Sequence, residues 1–420
     1  MHIRSGLATA ALLFFLGLPA AAQQSLTLAE AQRLALERSQ QLAASDAAAA
    51  AVRELSVAAG QLPDPVLKLG VDNLPVDGPD RFSLSRDFMT MRRIGVMQEL
   101  TRPDKRRLKV ERLAQDGKRI QAEREQAVVT IQRDTALAWI ERRYGQAMVQ
   151  LVERQLRETE LQIQGAEVAF RGGRGSQADV FAARMALANL QDKLRQIQRQ
   201  LRSAGLALAR WAGPQAASAA ATGDVPWQDT PLARSLPDHL QQQPGLQALA
   251  AQADAAETEV RLAQASTRPD VTVEAMYSQR GSAYSNMVSV GVSIPLQLDR
   301  SNRQDREVAA KVATLAEARA RYQDALAAQE SSAATLLNDW QAGKERLRAL
   351  QADLLPAARN RTQAALTAYG TGKADLASVL AARREELDAL MQLLTLEMET
   401  ARLWAQLHYL VHAPVAKDPS

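Results

Sequence analysis

Cysteine is absent from the 420 residues, and aromatic side chains make up only 4% of them. Beyond its first 22 residues the chain also lacks any apolar run of the roughly eighteen residues that a membrane-crossing helix needs. Each absence excludes something. Without cysteine there are no disulfides and no N-terminal attachment point for lipid, so a lipoprotein is not expected and stability must come from helix packing or assembly. So few aromatics, with a mean hydropathy of −0.25, argue against a compact globular core. If such a chain enters a bilayer, it does so as strands. Histidine is scarce too: His239, His408 and His412 alone follow residue 22, and none stands at metal-ligand spacing with carboxylates. No enzyme, metal site or cofactor is therefore expected. The net charge of +4 is modest, and the basic residues lack interleaved aromatics, so nucleic acid is not an expected partner.

What is present is Ala, Leu, Gln, Arg and Glu, the mixture of long helices with narrow apolar stripes and broad wet faces. Residues 1–22 stand apart. His2 and Arg4 precede an apolar run from Gly6 to Leu18, and Ala20-Ala21-Ala22 supplies small residues before Gln23. This is the pattern of a secretory signal peptide, so the mature protein is expected to be exported. A basic run, Arg102, Lys105, Arg106, Arg107 and Lys109, stands where a helix begins. It reads as a solvated helix face or as a contact with lipid headgroups.

The mature chain repeats itself. Phe170–Arg184 (FRGGRGSQADVFAAR) aligns without a gap on Tyr369–Arg383 (YGTGKADLASVLAAR), with Gly173 on Gly372, Val180 on Val379 and Arg184 on Arg383. In each copy a long helical pattern runs into an aromatic residue and a glycine cluster, and a second long pattern runs out. That is the tip of an antiparallel helical hairpin. The return helix after the first tip spaces Val180, Ala183, Leu187, Leu190, Leu194, Ile197, Leu201, Ala204, Leu208 and Trp211 three and four apart, a coiled-coil seam. Upstream, a capping box at Thr27-Leu-Ala-Glu30 opens a helix expected to reach about Gly60. Strands follow at about 66–72 and 91–100, and a helix from about Asp104 to Phe170. The second half repeats the order: a helix over about Pro244–Ser266, strands at about 270–278 and 286–297, and a helix from about Asn302 to Tyr369, interrupted at most by Pro356. In the last strand Val288, Val290, Val292, Ile294 and Leu296 alternate with small or polar residues, which predicts a lipid-facing side. The organisation is thus a signal peptide (1–22), a first repeat (23–212), a linker (213–237), a second repeat (238–412) and a tail (413–420).

Four strands cannot close a barrel, and an open edge cannot face lipid, so several chains are needed. Two would give eight strands and a filled interior; three would give twelve and the beginning of a channel.

The doubled tip, the doubled strand pair and the leader resemble the TolC family of outer-membrane efflux factors over essentially the whole mature chain. Pro63-Asp64-Pro65 and Met91–Arg107 (MRRIGVMQELTRPDKRR) are most similar to its heavy-metal branch, of CzcC and CusC type. The resemblance implies a mainly α fold with a small membrane β-part. Long coiled-coil hairpins would form a periplasmic α-barrel, and four strands per chain a twelve-stranded β-barrel in a homotrimer. It implies an exit duct in the outer membrane of a Gram-negative bacterium, for heavy-metal cations or drugs. Its partners would be a periplasmic adaptor, an inner-membrane resistance-nodulation-division pump and outer-membrane lipid. Carried over by motif, the adaptor-docking residues are Phe170, Gly172, Gly173, Ser176 and Val180 at one tip, and Tyr369, Gly370, Gly372, Asp375 and Val379 at the other. Asp179 matches a position where some members set a ring of aspartates that closes the tube; Arg174 and Lys373 would modify that gate. Ser378 stands at the matching place of the second repeat, so a double ring is not reproduced. A type I protein-secretion duct shares this architecture. A periplasmic adaptor or structural coiled coil is the remaining alternative, although adaptors usually carry one helical hairpin.

Overall fold

A computed structural model describes residues 25–173, 175–225 and 240–411. The expected signal peptide, Arg174, the linker from 226, His239, His412 and the tail lie outside the described residues. The chain divides into two compact units, each drawing on both sequence repeats.

The first unit comprises residues up to Ala35, Thr135–Val225 and Asp353–Met398. It contains β1 (Ser25–Leu26), most of α1 (Leu28–Glu37), the second half of α3 (Pro103–Arg171), α4 (Gln177–Ala212) and β4 (Ala220–Ala221). It also contains α7 (Leu355–Gly370) and most of α8 (Leu376–Val411). The seam foreseen on α4 is buried or half-buried at every position. Ile197 packs with Met148, Leu151 and Val152 of α3 and Leu387 of α8. Nearer the tips, Ala166, Val180, Ala183, Leu376 and Val379 form a second cluster. Alanine at these places lets helices approach closely, which is why an aromatic-poor chain still packs. Away from the tips, β1 runs parallel to β4, and both are fastened to α3. Trp139, fully buried, donates from Nε1 to the Leu26 carbonyl at 2.8 Å. Arg142, also buried, donates from Nε to the Ala219 carbonyl at 2.6 Å.

The second unit comprises Leu36–Asp134, Pro226–Ala352 and the chain from Glu399. It holds α2 (Gln40–Ala59), the first part of α3, α5 (Pro244–Ser266), α6 (Gln304–Ala349) and a four-stranded antiparallel sheet. The strands are β2 (Val66–Asp72), β3 (Met91–Leu100), β5 (Val271–Gln279) and β6 (Met287–Ser293), in the order β2-β3-β5-β6. The two strand pairs of the sequence repeats thus join through β3 and β5 into one sheet. A nearly buried ion pair ties this sheet to its helices. Lys105, at the start of α3, donates to Asp270 Oδ2 at 2.8 Å and to the Arg268 carbonyl at 2.7 Å. Removing one partner of so buried a pair is costly, because the other charge stays behind.

Three expectations need correction. The first helix breaks at Ser39, whose extended backbone and side chain cap a new helix by accepting from the Leu42 amide, so α1 and α2 replace one long helix. The long helix of the second repeat is interrupted at Leu350–Leu354, a π-helical turn. Pro356 has no N–H and its ring crowds the carbonyl four residues back, so the ladder opens just before it. Finally, β6 ends at Ser293, before Pro295, so Ile294 and Leu296 continue its alternation outside the strand.

Gly205 marks where α4 passes the segment leading to β4. A Cβ there would lie 2.4 Å from the Ala217 carbonyl oxygen and 2.6 Å from Arg142 Nη1. Gly205→Ala is expected to destabilise the fold by about 1–3 kcal/mol through overpacking. Denaturant unfolding followed by circular dichroism measures it.

Candidate functional site

Two features carry functional residues: the paired hairpin tips of the first unit and the sheet of the second.

At the first tip α3 ends with the Gly172 amide donating to the Val168 carbonyl at 3.0 Å and Gly173 to Phe170 at 3.1 Å. At the second, the Thr371 amide donates to Thr367 at 3.1 Å, Gly372 to Tyr369 at 3.0 Å, and Lys373 to Ala368 at 2.8 Å. Gly173 and Gly372, aligned in the repeat, have φ of 72° and 73°. Only glycine takes that conformation without cost, and it turns each chain back at the same place.

The helices that leave the tips are capped by the same pair of residue types in exchanged order. At the first tip Ser176 is the N-cap: its hydroxyl accepts from the Asp179 amide at 3.1 Å and donates to the Asp179 carboxylate at 2.7 Å, and its amide donates to that carboxylate at 3.0 Å. At the second tip Asp375 accepts from the Ser378 amide at 2.9 Å and from its hydroxyl at 2.5 Å. The absence of an aspartate at 378 is therefore an exchange within a capping pair rather than a loss of it. The Ser378 hydroxyl and amide hold the Asp375 carboxyl below the usual carboxylate range.

Of the ten tip residues singled out in the sequence, Phe170, Gly172, Gly173, Ser176, Tyr369, Gly370, Gly372 and Asp375 are exposed. Val180 and Val379 are buried, at 7% and 1% exposure, and hold the two hairpins to each other from beneath. Lys373 is exposed, and Asp179 is half-buried. Sequence reasoning missed Phe181. It is exposed and shares a groove with Phe170, Glu167 and Arg184, and its place off the α4 seam was the available signal.

The sheet sorts its side chains by face. The pairings Leu69–Ile94–Tyr277–Val288 and Leu67–Val96–Ala275–Val290 form apolar rows across all four strands. Val273 and Val292 extend the same face. It is open: Leu69, Val288 and Val290 are 70%, 74% and 77% exposed. Val292, Ile294 and Leu296 are exposed as well. Polar residues interrupt this face only near its ends, with Arg92 opposite Gln279 at the loop end and Gln98 toward the helices. The other face carries ion pairs, Lys68 with Glu274 at 2.8 Å and Arg93 with Asp72 at 2.7 Å. Gly95 sits between their strands, where a Cβ would come within 2.3 Å of Met276.

The second tip supplies a pH test. Because folding lowers the Asp375 pKa, the cap contributes stability above the unfolded carboxylate value of about 4 and loses it as pH falls through the lower folded value. Hydrogen-exchange protection at the start of α8 is expected to drop over that acid range in the native chain. In Asp375→Ala it should be lower at neutral pH and lack that drop.

Residues 236–411 match the family model described as outer membrane efflux protein. No curated protein matches the chain by sequence. Among solved structures, the outer-membrane channel OprN superposes with a TM-score of 0.77 at 20% identity, covering 92% of this chain and 90% of that one. CusC, described through its folding and transmembrane channel formation, gives 0.75 at 16% identity, with 92% of each chain covered. The outer membrane protein VceC from Vibrio cholerae gives 0.75 at 22% identity, covering 92% of this chain and 96% of that one. The resemblance read from the tips and strands is thus borne out: the second repeat carries the outer membrane efflux protein family's pattern, and the chain shares the fold of solved outer-membrane channels across both repeats.

Proposed function

We propose that the protein is the outer-membrane exit duct of a tripartite efflux system, working as a homotrimer and passing heavy-metal cations or drugs out of a Gram-negative cell. The observation that carries this reading is the sheet. Its edges, β2 and β6, have no partner strand among the described residues, and one face is apolar and exposed across all four strands between its ends. Lipid can cover the face, but it cannot satisfy the edge amides and carbonyls. Joining β6 of one copy to β2 of the next satisfies them, and three copies give twelve strands with the polar face inward. The family match and the likeness to outer-membrane channels support the same arrangement.

The hairpins of three chains would stand side by side as the periplasmic α-barrel. The exposed tip residues Phe170, Gly172, Gly173 and Ser176, with Tyr369, Gly370, Gly372 and Asp375, would meet the helical hairpin of the adaptor, which in turn engages the inner-membrane pump. Small residues at a turn allow another helix end to come close, and the flanking aromatics supply apolar area. Asp179 would set three carboxylates around the axis and hold cations there. Lys373 stands at the second tip as the counter-charge.

Val290→Arg is expected to oppose membrane insertion by about 2–4 kcal/mol per chain, whereas Ser289→Arg, on the opposite face, should insert normally. Outer-membrane fractionation and the mass of the detergent-extracted particle check both. A native chain that is monomeric and soluble without detergent would overturn the reading.

For the gate, Asp179→Ala should weaken block of single-channel current by divalent and trivalent cations. Ser176→Ala, which breaks the same cap but keeps the carboxylate, should not. Unchanged block in Asp179→Ala removes Asp179 from the gate.

A further inference from the structure

The junction between the sheet and its helices combines two features that the duct reading does not use. The apolar face does not stop where β6 stops. Ile294, Leu296 and Leu298 continue the alternation at 52%, 79% and 92% exposure. The segment is held in place, because Gln297 donates from Nε2 to the Ser266 carbonyl at the end of α5. Beyond it exposed charges of both signs begin: Asp299, Arg300, Arg303, Asp305, Arg306 and Glu307.

Much of the charge at this junction is paired. Arg102 pairs with Asp104, Lys105 with Asp270 and Arg300 with Asp305, while Asp299 accepts from Ser301 and Asn302. Arg107, Arg268, Arg303 and Arg306 are exposed, and none has an ion-pair partner among the described residues. Asp64, Glu99 and Glu307 are the exposed carboxylates of the same segments that no cation pairs among the described residues. The Lys105 contacts with Asp270 and the Arg268 carbonyl put the start of α3 next to the segment carrying Arg268.

We infer that Arg268, Arg303 and Arg306, with Arg107, form a headgroup-binding belt that seats the sheet on the phosphates of anionic phospholipid in the leaflet nearest the helices. The inference rests on the reading that the sheet spans a bilayer. The physical reason is the sequence of surfaces. Leucines exposed as far as Leu298 belong in hydrocarbon, and unpaired guanidinium groups directly beyond them lie where lipid phosphates lie. Guanidinium binds phosphate through paired N–H donors, and the long side chain reaches the headgroup from an apolar stem. Each such side chain near an anionic surface is worth about 1 kcal/mol.

The test uses the full-length protein in detergent, titrated with phosphatidylglycerol or phosphatidylcholine and read by native mass spectrometry. The native chain should prefer phosphatidylglycerol. Arg268→Gln/Arg303→Gln/Arg306→Gln should lose that preference by roughly a hundredfold, following three contributions of about 1 kcal/mol. The matching triple Lys variant should regain most of it. Inorganic phosphate at equal ionic strength should not compete; if it displaced the lipid, the site would be one for free phosphate and the proposal would fall. An unchanged preference in the Gln variant would also overturn it. Channel conductance in phosphatidylcholine bilayers separates this outcome from failure of the duct reading. A native chain that conducts there while the lipid preference is insensitive to the three arginines sinks the belt alone. One that never inserts sinks both.

Discussion

Backbone hydrogen bonding at a sheet edge sets the terms for this structure. Four strands leave two edges, and β2 and β6 each present a row of amides and carbonyls with no partner strand among the described residues. In water such an edge is tolerable. Beside an apolar face as exposed as the one running from Leu67 and Leu69 to Val288 and Val290, it is not, because the medium that covers the face cannot bond to the edge. The face asks for hydrocarbon and the edges ask for another polypeptide. A single chain meets neither demand, so its half-finished sheet makes physical sense as a share of something larger.

The hairpins solve a different problem with the same economy. An aromatic-poor chain cannot build a thick core, so the first unit interleaves alanine, valine and leucine from α3, α4, α7 and α8 in narrow layers. Surface ion pairs such as Arg184 with Glu167 and Lys193 with Asp388 decorate this packing but are mostly exposed, and pairs of that kind contribute little. The tips show which features a duplicated element must keep. Both retain a left-handed glycine and a Ser–Asp cap, yet the carboxylate has moved by one helical turn between Asp179 and Asp375. Capping tolerates the exchange because either side chain can accept the orphan amide. A ring of carboxylates at one height would not tolerate it.

Much of this was legible in the sequence because period carries the information. Alternation over Val66–Asp72 and Met91–Leu100 gave strands at those bounds, and the three-four spacing from Val180 to Trp211 gave the seam. Local competition was harder to see. Ser39 breaks a helix because its side chain can cap one, and Pro356 is accommodated by a wide turn preceding it, choices that depend on packing rather than on pattern. At the tips the sequence marks Val180 and Val379 as part of a motif but cannot say which side of the hairpin they occupy. Only the meeting of two hairpins buries them. The order β2-β3-β5-β6 was likewise beyond reach, since nothing local to β3 and β5 announces that the two repeats join there.

The charges on the polar face bear on where selectivity can arise. Lys68 and Arg93 are each paired, with Glu274 and Asp72, and Glu99 at the helix end accepts from the Thr101 hydroxyl. A cation and an anion held within 3 Å of each other cancel most of their field a few ångströms away, and salt in a wet lumen screens the rest. A barrel lined by three such faces would be polar enough to stay hydrated while offering a passing ion little net attraction or repulsion. Discrimination by charge would then fall to the hairpin end, where the Asp179 and Asp375 carboxylates accept hydrogen bonds from serine hydroxyls. On the proposed reading the chain would separate its tasks: a neutralised sheet for passage through lipid, and carboxylate-capped turns where the duct would meet whatever loads it.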